Sequence, residues 1–163
     1  NAASTRPYSV LKFSDFYLTA AEAAFKLGNN TDARNNIIVL RKRAGVWTHK
    51  NNERVEYNAD FSQELADATP ATITLDYILD ERMREFYGEG FRWFDLARTQ
   101  TWQERAGSYT ISGVNWGDHT PEKFTRNIPD YMYLMPIPKG QLDGMEMSDE
   151  EKAAYQNPGY TID

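Results

Sequence analysis

Residues 74–98 read TLDYILDERMREFYGEGFRWFDLAR, and this stretch decides the fold class. Leu75, Ile78, Leu79, Met83 and Phe86 recur at three- and four-residue steps, which predicts an amphipathic helix from Thr74 to Tyr87 with those five on its buried stripe. Gly88 and Gly90 interrupt it, and glycines at such a point suggest positive φ or a close backbone approach. Phe91 to Arg98 then resumes as a short helix, and its rings Phe91, Trp93 and Phe94 read as core. Charges run through the same stretch. Glu81, Glu85 and Glu89 stand four apart and would share a face if the helix continued. Glycosidase chemistry asks for two carboxylates about 5 to 9.5 Å apart, a spacing that one helix can supply. Arg82, Arg84, Arg92 and Arg98 intersperse with them, so the reading is a structural ion network, with Asp80–Arg84 and Arg82–Glu85 as same-helix pairs.

Helical signals dominate on the N-terminal side as well. Phe13, Tyr17, Ala20, Ala21, Ala24 and Phe25 form one stripe, and Gly28 with Asn29-Asn30 ends that helix in a turn. A second helix follows, capped by Thr31 or Asp32, with Ala33, Ile37, Leu40 and Ala44 on one face. Arg41-Lys42-Arg43 is a basic cluster, but cations in a last helical turn suit the helix dipole, and that explanation suffices. Residues 46–58 are polar and loop-like. Asp60 to Ala68 is expected to be a short helix, with Asp60 and Gln63 at capping-box spacing and Pro70 as its breaker. Residues 101–130, punctuated by Gly107, Gly113, Gly117, Pro121 and Pro129, read as irregular. Tyr131 to Met135 reads as extended, and Ser148 to Tyr155 as a helix with Ser148 and Glu151 forming a capping box. The fold class is therefore mainly α. A helical hairpin over 7–45 is followed by a helical segment over 60–100 and a loop-rich closing segment over 101–163.

Composition removes several functions. The 163 residues include no cysteine, which excludes thiol catalysis, disulfides and Cys-based zinc sites. The formal charge of −6 argues against nonspecific nucleic-acid binding, so no nucleic-acid partner is expected. The longest strictly aliphatic run, Ile37–Leu40, is far short of the roughly 20 apolar residues of a membrane span. The two histidines, His49 and His119, are far apart in sequence, and no HExxH, EF-hand, GxSxG, P-loop or GxGxxG pattern occurs. No cofactor is expected; a structural calcium held by scattered oxygens stays open, while Asp143-Gly144 with Glu146 and Asp149 to Glu151 reads as a solvated acidic turn and helix start. Aromatics are abundant: four Trp, ten Tyr and eight Phe make 13% of the chain.

Several motifs together carry a resemblance. Tyr17, Ala21, Gly28 and Ala33 fall where a tetratricopeptide unit places an aromatic, a small residue, a turn glycine and a small second-helix residue. ERMREFYGEGFRWFDLAR (81–98) is more specific, and it resembles the C-terminal signature of the SusD/RagB family of Bacteroidetes outer-membrane nutrient-binding lipoproteins. FYLTAAEAAFKLGN (16–29), RKRAG (41–45), YLMPIP (133–138) and QNPGY (156–160) agree with that family in order, so the resemblance runs from about Pro7 to Tyr160. It implies a mainly helical SusD-like fold with no catalysis. It also implies a surface-exposed lipoprotein of the cell outer membrane that binds an oligosaccharide and delivers it to a SusC-like TonB-dependent transporter. Two alternatives accompany it: RagB-like peptide uptake, or a scaffold and transporter-docking portion without ligand contacts. Members are several times longer, so the chain is expected to be a C-terminal portion, with the lipid anchor supplied by the missing N-terminus.

The aromatics outside the helices are the candidate ligand groups, because sugar C–H faces pack on flat rings while amides, acids and arginine bond hydroxyls. The candidates are Trp47, near Asn51 and Asn52, and then Trp102, Tyr109 and Trp116, with Asn115, Asp118 and Arg126 nearby; Tyr131 also flanks this region. The competing reading of each ring is that it fills a loop-rich core.

Overall fold

The computed structural model describes residues 10–51, 55–111 and 121–162. The chain divides into two compact units, Asn1–Gly90 and Phe91–Asp163. As expected, the chain is mainly helical, and its second unit is richer in loops than the first.

The first unit begins with α1 (Phe13–Lys26) and α2 (Asn30–Gly45), joined by a three-residue turn. The cap of α2 is Asn29 rather than Thr31 or Asp32: its side-chain oxygen accepts from the Asp32 N–H at 3.1 Å. The turn closes earlier than expected, and the Asn29 amide also donates to the Asp32 carboxylate at 2.6 Å. Ala21, Ala24, Ala33, Ile37, Ile73 and Ile78 form the buried cluster, with Phe25 and Tyr77 packed against it. Alanines at the contact let the helices approach closely. Asn30 and Arg34 then tie α2 to the chain beyond. Asn30 bonds the Ala71 carbonyl and the Ile73 N–H, both at 2.8 Å, and the Arg34 guanidinium bonds the carbonyls of Ala66, Thr69 and Pro70.

The buried face of α1 differs from the expected stripe. Ser14, Leu18, Ala21 and Ala24 are buried, whereas Phe13 is 72% exposed and Ala20 is exposed. The helix has two apolar sides. The second carries Phe13, Phe16, Ala20, Ala23 and Leu27 at alternating steps of three and four, all exposed. Such a seam is what a helix presents to another helix. Residues 1–163 expressed alone are therefore expected to bind ANS and to elute above monomer size, less so with Phe13→Ser and Phe16→Ser together; a monomeric, dye-silent chain would refute this.

Residues 46–60, expected to be mostly loop, form an antiparallel hairpin of β1 (Val46–Asn51) and β2 (Val55–Asp60), with Val46 opposite Asp60 and Trp47 opposite Ala59. Val46, Trp47, Thr48, Val55 and Tyr57 are strand-favouring types, and this outweighs the polar residues between them. The next helix, α3, covers Ser62–Asp67. Its expected capping box does not form. Asp60 accepts from the Ser62 N–H at 2.9 Å, and the Gln63 amide turns to Asp67 at 2.8 Å. Hydrogen bonding from the Ser62 side chain, and then from its backbone N–H, holds the Asp60 carboxyl below its ordinary value of 3.8. Helix α4 (Leu75–Glu85) is capped by Thr74 and buries Ile78 and Leu79 completely, and Phe86 beyond its end is buried too. Met83 is 44% exposed, against expectation. Arg82 takes the buried place, held by Asp15 at 2.8 Å and lying 5.2 Å from the Phe86 ring centroid. Gly88 and Gly90, at φ +77° and +81°, occupy the left-handed region that glycine enters without steric cost.

The second unit starts with α5 (Phe91–Arg98) and α6 (Trp102–Ala106). Asp95, Leu96 and Ala97 are buried; Phe91 and Trp93 are half-buried. Phe94, expected in the core, is 59% exposed, because the buried side of this short helix is the Asp95–Ala97 arc. The region expected to be irregular also contains an antiparallel ladder of β3 (Ser108–Ile111) and β4 (Glu122–Thr125). Asp130–Tyr133 is a 3-10 turn rather than extended chain. Pro129 starts it, and the turn sets Tyr131 edge-on against Tyr160 and Tyr133 edge-on against Trp102. Short helices α7 (Lys139–Asp143) and α8 (Asp149–Tyr155) follow, and the Ser148–Glu151 capping box is present. The chain end then clasps the 134–137 segment. The Gln156 amide bonds both backbone groups of Ile137, Asn157 bonds the Met135 carbonyl, and the Tyr160 hydroxyl bonds the Leu134 carbonyl.

Candidate ligand-binding surfaces

In the first unit the end of α2 sets the geometry. A Cβ on Gly45 would lie 2.7 Å from backbone atoms of Phe61 and Ser62, so glycine lets the end of α2 touch the β2–α3 junction, where the Phe61 N–H bonds the Gly45 carbonyl at 2.9 Å. Beside this contact an open groove of about 340 Å³ is lined by Ala44, Gly45, Trp47, Ala59, Phe61 and Leu65. Its lining is almost wholly apolar. Trp47 is 66% exposed and Phe61 is 56% exposed. Ala59, directly across the ladder from Trp47, is too small to cover the indole. The sequence singled out Trp47; Phe61, Ala59 and Leu65 it did not, because only the hairpin brings them to the same groove. The Asn51 side chain and Asn52, read as neighbours of Trp47, lie outside the described residues.

In the second unit the candidates separate. Trp102 is half-buried, with its ring edge-on to Trp93 at 6.1 Å and to Tyr133 at 5.8 Å, and the Tyr133 hydroxyl accepts from the Gln103 N–H. These contacts are internal packing. Tyr109 is 41% exposed and stacks on Phe124, its cross-strand partner, at 5.5 Å and 21°. The Arg126 guanidinium lies 4.5 Å from the centre of the Tyr109 ring. The structure therefore brings Tyr109 and Arg126 together. Asn115, Trp116 and Asp118 lie outside the described residues.

The three spaced carboxylates all face cations. Glu81 accepts two bonds from Arg84, at 2.6 and 3.0 Å, with Arg41 at 3.9 Å. Glu85 meets Arg43 at 2.5 Å, and Glu89 meets Lys12. In the second unit, buried Asp95 holds Arg98 at 2.9 Å. Such an arrangement fixes helices to one another. Among the described residues no group of three or more acids and histidines converges as a metal site would, and no helix is long and apolar enough to cross a membrane.

Comparison with known proteins places this architecture. The starch-binding protein SusD of Bacteroides thetaiotaomicron is 28% identical over 151 residues, which are 93% of this chain and 21% of that protein. The chain thus spans about a fifth of the length of this relative. The model of the SusD family (SusD_RagB) matches residues 1–160. With the helical hairpin, the 81–98 signature and the clasped 134–160 segment all inside that match, the chain belongs to the SusD family.

Proposed function

We propose that the chain is the C-terminal portion of a non-catalytic outer-membrane lipoprotein that binds an oligosaccharide and delivers it to a SusC-like TonB-dependent transporter. The observation that carries this reading is the family match over nearly the whole chain, joined by likeness to a protein named for starch binding. The anchor would be a lipid on the part of the protein outside this chain. Non-catalytic capture agrees with carboxylates that are committed to arginine and lysine.

Trp47 is the proposed sugar platform. Its indole is exposed over an apolar groove, the setting in which a pyranose C–H face replaces water on a ring. In the full-length protein, Trp47→Ala is expected to weaken malto-oligosaccharide binding about tenfold by calorimetry, roughly 1.4 kcal/mol. Its exposure predicts an unchanged melting temperature. A panel with peptides alongside distinguishes the RagB-like alternative: peptide binding without glycan binding would sink the sugar reading. Unchanged glycan affinity in Trp47→Ala would favour the scaffold reading, which has the exposed seam of α1 in its support.

A further inference from the structure

We propose that the β3–β4 hairpin carries a subsite for an acidic sugar, a hexuronate whose carboxylate binds Arg126 and whose ring packs against Tyr109. The proposal rests on the glycan-binding reading above and specifies the ligand class for this second surface.

Ladder register is the first support. Tyr109 faces Phe124, and the Arg126 N–H bonds the Gly107 carbonyl at 2.6 Å, so the pairing continues one step beyond β4. Side chains alternate along a strand, which puts Phe124 and Arg126 on one face with Tyr109. Opposite Arg126 stands a glycine. Gly107 itself contributes no side chain, the Gln103 side chain packs against it, and the guanidinium lies over the neighbouring Tyr109 ring. Stacking occupies the flat face of a guanidinium and leaves its in-plane N–H donors pointing outward.

The second support is the state of those donors. Arg34, Arg41, Arg43, Arg82, Arg84 and Arg98 each reach a carboxylate or a carbonyl. Arg126 is exposed, and among the described residues its guanidinium has neither an ion pair nor a hydrogen bond, in a chain where acids outnumber basic residues 24 to 18. Glu122 shares the face, but it stands four strand steps from Arg126, about 13 Å, too far for neutralisation. A partly exposed ring next to a guanidinium that keeps its donors for an acceptor matches a sugar with one apolar face and one planar carboxylate. Bidentate pairing with that carboxylate is the strong form of such a contact.

The test uses the full-length protein, calorimetry, and two probes of equal length, tetragalacturonate and maltotetraose. The expected result is that tetragalacturonate binds and that Arg126→Gln weakens it at least tenfold more than it weakens maltotetraose. Arg126→Lys should restore only part, because ammonium keeps the charge but not the planar fork. Equal effects on both probes, or no binding of tetragalacturonate while maltotetraose binds, would overturn the subsite and leave the glycan reading standing. If neither probe binds and peptides do, both fall.

Discussion

Ile78→Ala is expected to destabilise the first unit by about 3–4 kcal/mol, near the upper part of the range for losing a buried branched side chain. Ile78 is fully buried, and three of its cluster mates, Ala21, Ala24 and Ala33, are alanines. Alanine has no side chain that swings into a hole. The cavity would therefore persist, and the cavity cost would add to the lost transfer energy. With a urea slope of about 1–3 kcal/mol per M, the midpoint should fall by at least 1 M. Ile78→Val, one methyl smaller, should cost about 1 kcal/mol. A loss under 1 kcal/mol for the alanine variant would show that this cluster is not a closed core.

Glu81→Ala is expected to cost about 3 kcal/mol, for an electrostatic rather than a volume reason. The Glu81 side chain is 5% exposed and serves Arg84 and Arg41 together. Arg84, nearly half exposed, can turn to water. Arg41 has an 18% exposed side chain and a buried Nε that has no partner among the described residues, so removing the carboxylate leaves a cation with poor solvation. The double variant Glu81→Ala with Arg41→Met should recover much of the loss, since an unpaired buried charge, not an absent contact, is the source of the penalty. Thermal or urea unfolding reads both. A Glu81→Ala protein as stable as the parent would dismiss the ion network as a structural device.

Helix periodicity located α1, α2 and α4, since three- and four-residue spacing is a local property of sequence. It did not choose between the two apolar sides of α1. Which side is buried depends on where α2 and α4 pack, and that is a tertiary matter. The same limit explains Met83 and Arg82. Hydrophobicity favours methionine inside, yet Arg82 is taken in because Asp15, distant in sequence, supplies its charge partner. The hairpin at 46–60 was missed because polar residues masked strand-favouring types whose pairing is not local. At the candidate surfaces, Trp47 was legible as a ring in a polar stretch. Its groove was not, because Phe61 and Leu65 reach it only through the β1–β2 register and the backbone contact at Gly45.

By itself the sequence determined the helical class, the signature at 81–98 and hence the family, because helix signals and motif spacings are written in neighbouring residues. The tertiary structure decided which of the described candidate aromatics keep open surface. Trp102 is enclosed between Trp93 and Tyr133, whereas Trp47 and Tyr109 keep open surface. Exposure is set by what packs across from a ring, and the partners come from elsewhere in the chain.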